Sequence, residues 1–181
     1  DQPAVHWVAV VMMISGSLPF TLYVASARGN RRALVRDHQV HGFLGFLVLT
    51  WLVFGTWLWI NSDYSWMDAV RIVAVNVTSV VTTTGFALGD YTLWGSFAVM
   101  LFFYLTFIGG CSGSTAGGLK IFRFQVAYVL LRANLQQLVH PRAVIKQQYN
   151  NHNLDEDIVR SLITFSFFFT ITIGVIALGL A

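Results

Sequence analysis

The sequence predicts an all-α membrane protein in which one short helix dips into the bilayer and another is broken inside it. Three observations predict this. Hydrophobic residues make up 56% of the 181 and charged residues 10%, against about 25% charged in a soluble domain. Several apolar runs are long enough to cross about 30 Å of hydrocarbon. Between them lie two polar, glycine-bearing stretches, VTTTGFALGDY at 81–91 and GGCSGSTAGGLKIFR at 109–123.

The elements follow in chain order. Residues 4–25 form a first span, with Pro19 kinking or loosening it near its end. A connection with Arg28, Arg31, Arg32 and Arg36 leads to a second span at 42–60. Residues 97–108 are apolar but too short to cross alone. Residues 119–149 return to a helix-like pattern, NNHNLDED makes a polar break with a helix start at Asn153 to Asp157, and 161–181 are a last span. Lys and Arg set the orientation. The 120–160 region holds Lys120, Arg123, Arg132, Arg142, Lys146 and Arg160, whereas 61–96 holds Arg71 against Asp63, Asp68 and Asp90. Residues 26–41 and 130–158 are therefore expected inside, and 61–66 and 87–93 outside. A chain that starts at Asp1 beside one apolar span and stops at Ala181 within another is expected to be an internal piece of a longer polypeptide.

Residues 62–92 then begin and end outside, with too few apolar residues to cross and return as a helix. A re-entrant hairpin fits: Ser65 to Asp68 make a capping box, and a short helix runs from there to Val81, about 24 Å. Extended chain climbs back out. Non-helical backbone at that depth must be buried in protein or line water. Carbonyls of Thr82, Thr83, Thr84, Gly85 and Phe86 can replace the hydration shell of a cation, helped by the negative C-terminal end of the short helix. The competing reading is a polar turn packed on its neighbours.

The second stretch comprises Gly109, Gly110, Cys111, Ser112, Gly113, Ser114, Thr115, Ala116, Gly117 and Gly118. Five glycines at about 1 kcal/mol each work against a helix. A flexible loop beneath the first stretch is placed to block a path and move aside. A close-packed helix using Gly109, Gly113 and Gly117 at small-xxx-small spacing is the alternative. A phosphate loop is excluded, since Leu119 stands where its lysine belongs and no Ser or Thr follows Lys120. Lys120 and Arg123 either touch the loop or are inside-facing anchors. Asp90 attracts cations or is a solvated loop acid. His6, His38, His41, His140 and His152 have no ligand spacing, and the single Cys111 excludes an intrachain disulfide. No nucleophile–base pair or metal cluster points to an enzyme, and no nucleic-acid partner is expected. Asn76-Val77-Thr78 matches a glycosylation sequon, but a dipping helix is no place for the modification.

On these two stretches, with GSLPFTLY at 16–23, the chain resembles the Trk/Ktr/HKT superfamily of potassium transporters, closest to the bacterial TrkH and TrkG type. The resemblance implies four helix–pore-loop–helix repeats around a pseudo-fourfold pore. Residues 42–131 would be the third repeat: outer helix 42–60, pore helix 65–81, selectivity filter 82–86 and broken inner helix 93–131. Residues 1–41 would finish the second repeat, 132–158 would be a cytoplasmic connection, and 159–181 would start the fourth. Thr82 to Phe86 would be one quarter of the filter, with potassium at Thr83, Thr84 and Gly85, and Gly109 to Gly118 the gating loop. Potassium is then the only cofactor, with no organic one. The partners implied are membrane lipid, a second copy in a homodimer, and cytosolic nucleotide-binding regulatory subunits of the TrkA/KtrA kind. The location implied is the bacterial cytoplasmic (inner) membrane. The alternative function is a secondary transporter of a small solute with a broken-helix site; a structural subunit without a pore is a weaker third.

Overall fold

The computed structural model describes residues 2–30, 32–140, 148–149, 152–154 and 156–180. Arg31, Arg142 and Lys146, used above for orientation, lie outside the described residues, as do Asn150, Asn151 and Asp155 of the polar break. The order is α1 (Pro3–Gly16), α2 (Phe20–Ala27), α3 (Ala33–Arg36), α4 (His38–Asn61), α5 (Trp66–Val81), a 3-10 turn (Tyr91–Trp94), α6 (Ser96–Leu105), α7 (Ile121–Val139), β1 (Gln148–Tyr149), β2 (His152–Asn153) and α8 (Glu156–Leu180). Two helices, α4 and α8, are each long and apolar enough to cross a membrane, and the bent pair α1–α2 makes a third if it counts as one span.

Pro3 sits in the first turn of α1, where a missing N–H costs nothing. The expected kink in the first span is in fact a break. Ser17 caps α1, Pro19 cannot continue it, and α2 leaves at 91°. α4 starts four residues before the apolar run, because the Asp37 carboxylate accepts from Gln39 N–H at 2.8 Å and Val40 N–H at 3.2 Å. α5 starts after Ser65, whose hydroxyl accepts from Asp68 N–H at 3.2 Å and donates to its carboxylate at 2.7 Å. That hydroxyl, and then Arg71, hold the Asp68 carboxyl below its ordinary range. The helix-like pattern read over 119–149 ends at Val139, and two residue pairs, Gln148 with Asn153 and Tyr149 with His152, then run antiparallel.

The chain divides after Phe122 into two compact units. In the first, α5 lies at the centre although it is short. Ala69, Val73, Val77 and Val81 recur every four residues and pack on Phe43, Leu47, Phe54 and Leu58 of α4 and on Ala98, Phe102 and Leu105 of α6. Another face, Ala74 and Val75, meets Val10 and Met13 of α1. Tyr91 stacks on Phe102 at 4.2 Å, which fixes the 3-10 turn against α6. In the second unit, the Arg123 guanidinium lies 4.0 Å from the Phe165 ring centroid. The Tyr149 hydroxyl donates to Gln125 Oε1 at 2.5 Å.

α4 and α5 approach closely at Gly55, where an added Cβ would stand 2.8 Å from Val70 Cγ2 and 3.0 Å from its Cα. Gly55→Ala is expected to destabilise the protein by about 1–3 kcal/mol through overpacking. Gly45→Ala, with open space around it, is expected to be neutral or to stabilise by up to about 1 kcal/mol. Thermal unfolding in detergent micelles compares the two.

Candidate functional site: a threonine–glycine segment and the loop that meets it

α5 ends early, and the way it ends positions 82–86. Thr83 turns into the left-handed region at φ 56°. Its N–H donates to Val80 C=O at 3.1 Å, and Thr84 N–H donates to Ser79 C=O at 2.9 Å. This pair of bonds is a Schellman closure, and the position Thr83 holds is usually glycine. A β-branched residue there costs roughly 1–2 kcal/mol. The threonine offers in return a hydroxyl that accepts from Gly117 N–H at 2.9 Å.

The closure satisfies the last helical carbonyls but not those beyond. Among the described residues, no hydrogen bond ends on a carbonyl oxygen of 82–86. Thr82 is buried, and its hydroxyl lies 2.7 Å from that of Thr84, one donating to the other. Residues 83–87 are exposed. Gly85 sits at φ 84° with nothing within 4 Å of an added Cβ, so backbone conformation rather than space requires glycine. The segment therefore offers a row of unpaired main-chain oxygens on an open side.

Beyond it the chain is tied down. Asn76, buried in α5, accepts from Leu88 N–H at 2.9 Å and donates to Leu88 C=O at 2.9 Å. The Asp90 carboxylate accepts from the Thr92 hydroxyl at 2.6 Å and Thr92 N–H at 2.9 Å. These bonds hold the Asp90 carboxyl below its ordinary range, so it keeps its negative charge as pH falls through that range.

Residues 109–118 are not helical, which removes the small-xxx-small helix as a reading. They form a loop with a closed neck. Gly109 N–H donates to Leu119 C=O at 2.8 Å, Leu119 N–H to Phe107 C=O at 2.9 Å, and Ile121 N–H to Gly110 C=O at 3.1 Å. The body of the loop docks on the α1–α2 break. Cys111 N–H donates to Ser17 C=O at 3.0 Å, Phe20 N–H to Gly113 C=O at 3.1 Å, and the Thr115 hydroxyl to Gly16 C=O at 2.9 Å. Pro19 thus frees main-chain groups at 16–20, and the loop takes them up. Ser112 N–H reaches Gln39 Oε1 at 3.0 Å. Lys120 turns back into its own loop and donates to Ala116 C=O and Ser114 C=O.

Thr83 and Gly117 thus bring the two stretches singled out in the sequence into direct contact. Of the two basic residues beside them, Lys120 braces the loop, while Arg123 stacks on Phe165. Asn76, Gln39 and the 16–20 break were missed as site residues. An asparagine midway along an apolar helix was the available signal for the first.

The TrkH family model, described as a cation transport protein, matches residues 1–181. The Trk system potassium uptake protein TrkI of Halomonas elongata is 49% identical over 181 residues, 100% of this chain and 37% of the relative. The TrkH protein of the same organism is 28% identical over 185 residues, 99% of this chain and 38% of the relative. The crystal structure of the potassium transporter TrkH from Vibrio parahaemolyticus superposes with a TM-score of 0.90 at 30% identity, covering 99% of this chain and 39% of that one. The chain therefore spans well under half the length of the proteins it matches.

The neck leaves no room for a side chain at Gly109, where a Cβ would lie 1.9 Å from Gly117 O. Gly109→Ala is expected to open the loop and expose Cys111, which is fully buried. Alkylation of Cys111, mapped by mass spectrometry, should then rise about tenfold or more, the factor set by about 1.4 kcal/mol of weaker closure. Ser112→Ala, which keeps the backbone bond to Gln39, should leave the rate unchanged.

Proposed function

We propose, since the chain belongs to the TrkH family of cation transport proteins, that it carries potassium across a cell membrane as one quarter of a pore. The fold is the helix–pore-loop–helix repeat of that family, in an integral membrane protein. On this reading 42–131 are one such repeat, with residues 1–41 closing the repeat before it and 159–181 opening the next. Thr82, Thr83, Thr84, Gly85 and Phe86 are one wall of a selectivity filter, and 109–118 are its gate.

The observation that carries the reading is the row of unpaired carbonyls at 82–86. In hydrocarbon each unpaired carbonyl costs several kcal/mol. A potassium ion shedding water supplies the missing partner, and three further repeats would complete the ring. α5 aims its C-terminal end at the same point, adding about half a negative charge. Thr83, Thr84 and Gly85 give the ion its oxygens, and the loop below shuts the path through Gly117 on Thr83. Lys120 keeps two loop carbonyls occupied, so the closed loop offers the ion fewer oxygens than the filter above. The inner membrane of a bacterium, a homodimer and a cytosolic nucleotide-binding ring facing 120–146 complete the proposal.

A secondary transporter of an anionic solute would point half-helix N-termini at its substrate. Here α5 points its C-terminus at the segment, which favours a cation.

Rubidium uptake into proteoliposomes of the polypeptide that carries this chain tests the reading. Gly85→Asp is expected to abolish uptake, since an aspartate at φ 84° is strained and places a charge among the oxygens. Deleting 113–116 is expected to raise leak by removing the contacts with the α1–α2 break. Unchanged rate and selectivity in both would refute the filter and the gate.

A further inference from the structure

Asn76 stands out as a polar group the filter and loop assignments leave unexplained. It lies within α5, only 1% exposed. Its neighbours on either side, Val75 and Val77, are apolar and buried. Burying an amide in such surroundings is unfavourable unless both ends are bonded. Both are: Oδ1 accepts from Leu88 N–H at 2.9 Å, and Nδ2 donates to Leu88 C=O at 2.9 Å and to Ile72 C=O at 3.0 Å.

The partner at residue 88 is the informative part. A side-chain amide satisfying both main-chain groups of one residue acts as a strand neighbour would. It holds that residue at a fixed height and distance from the helix axis. Leu88 lies two residues past Phe86, and its side chain packs with Val10, Met13, Ala74 and Val75. At the other end, the Schellman bonds of Thr83 and Thr84 fix the start of the segment to α5. The run 82–86 is therefore stretched between two anchors on one rigid helix. Nothing else among the described residues bonds the carbonyls in between.

We infer that Asn76 is a positioning residue for ion selectivity: by clamping Leu88 to α5 it sets the span of the 82–86 carbonyls and so the size of ion they fit. Asn76 itself touches no ion. The inference rests on 82–86 being the filter. With the clamp released, the outer carbonyls follow a smaller ion inward, and the discrimination between ions of equal charge and different radius falls. A residue that only supported the fold would change the amount of active protein and leave the ratio alone.

The test uses Asn76→Leu, of similar volume with no polar end, and Asn76→Asp, which keeps the acceptor for Leu88 N–H and loses the donor. Both go into the polypeptide that carries this chain, reconstituted in proteoliposomes at matched folded amount. Uptake of rubidium and of sodium is measured separately, and their ratio compared. Asn76→Leu is expected to lower the ratio by about tenfold, the scale of the two bonds to Leu88 lost together, with rubidium uptake still measurable. Asn76→Asp is expected to lower it less. A ratio unchanged in both overturns the clamp, as does equal loss of the two fluxes. Gly85→Ala separates the two levels of the argument. If it shifts the ratio while the Asn76 variants do not, the filter stands and the clamp falls. If neither position shifts it, the filter assignment fails and the clamp with it.

Discussion

A main-chain N–H or C=O that leaves a helix inside an apolar layer has to find another partner, and this constraint organises the first unit. Three of the places where helical bonding breaks bear on the site: 16–20 at Pro19, 82–90 after α5, and 106–120 between α6 and α7. Two of them satisfy each other. The loop spends its polar groups on the carbonyls and amides that Pro19 frees, on Gln39, on its own neck and on Lys120. The third is satisfied at both margins and left open in the middle. Among the described residues, the carbonyls of 82–86 are left without a hydrogen-bond donor.

Packing makes this arrangement affordable. α5 is too short to cross, so its burial comes from the chain around it. The valine and alanine stripe at every fourth residue serves α4 and α6, while Ala74 and Val75 serve α1. A helix gripped on two sides is a stiff post, and both ends of the threonine–glycine segment are fixed to it. The strain at Thr83 persists because the closure of α5 and the loop contact together over-determine that residue.

Much of this was legible in the residues. Ser65 and Asp68 gave the start of α5, the glycine density gave a non-helical 109–118, and the apolar runs gave α4 and α8, because each signal is local. What was not legible depended on distant partners. Nothing near Pro19 says that its freed groups are taken up by residues 111–115, so a kink was expected where the chain turns through 91°. Asp37 moved the start of α4 earlier than hydropathy alone suggests, since a cap and an apolar run need not coincide. Asn76 was weighed only as part of a sequon. Its role needs a partner twelve residues away, which spacing does not reveal. Lys120 was split between loop contact and anchor, and only three-dimensional proximity to Ala116 and Ser114 decides it.

The neck of the glycine loop has one further consequence. Because Phe107, Gly109 and Gly110 bond across to Leu119 and Ile121, the chain closes on itself at the base of the loop rather than along its length. The eight residues beyond, 111–118, reach outward instead, to Ser17, Phe20, Gln39 and Thr83. A change anywhere along them is therefore felt at the α1–α2 break, at α4 and at the end of α5 together, so three neighbours constrain their composition at once.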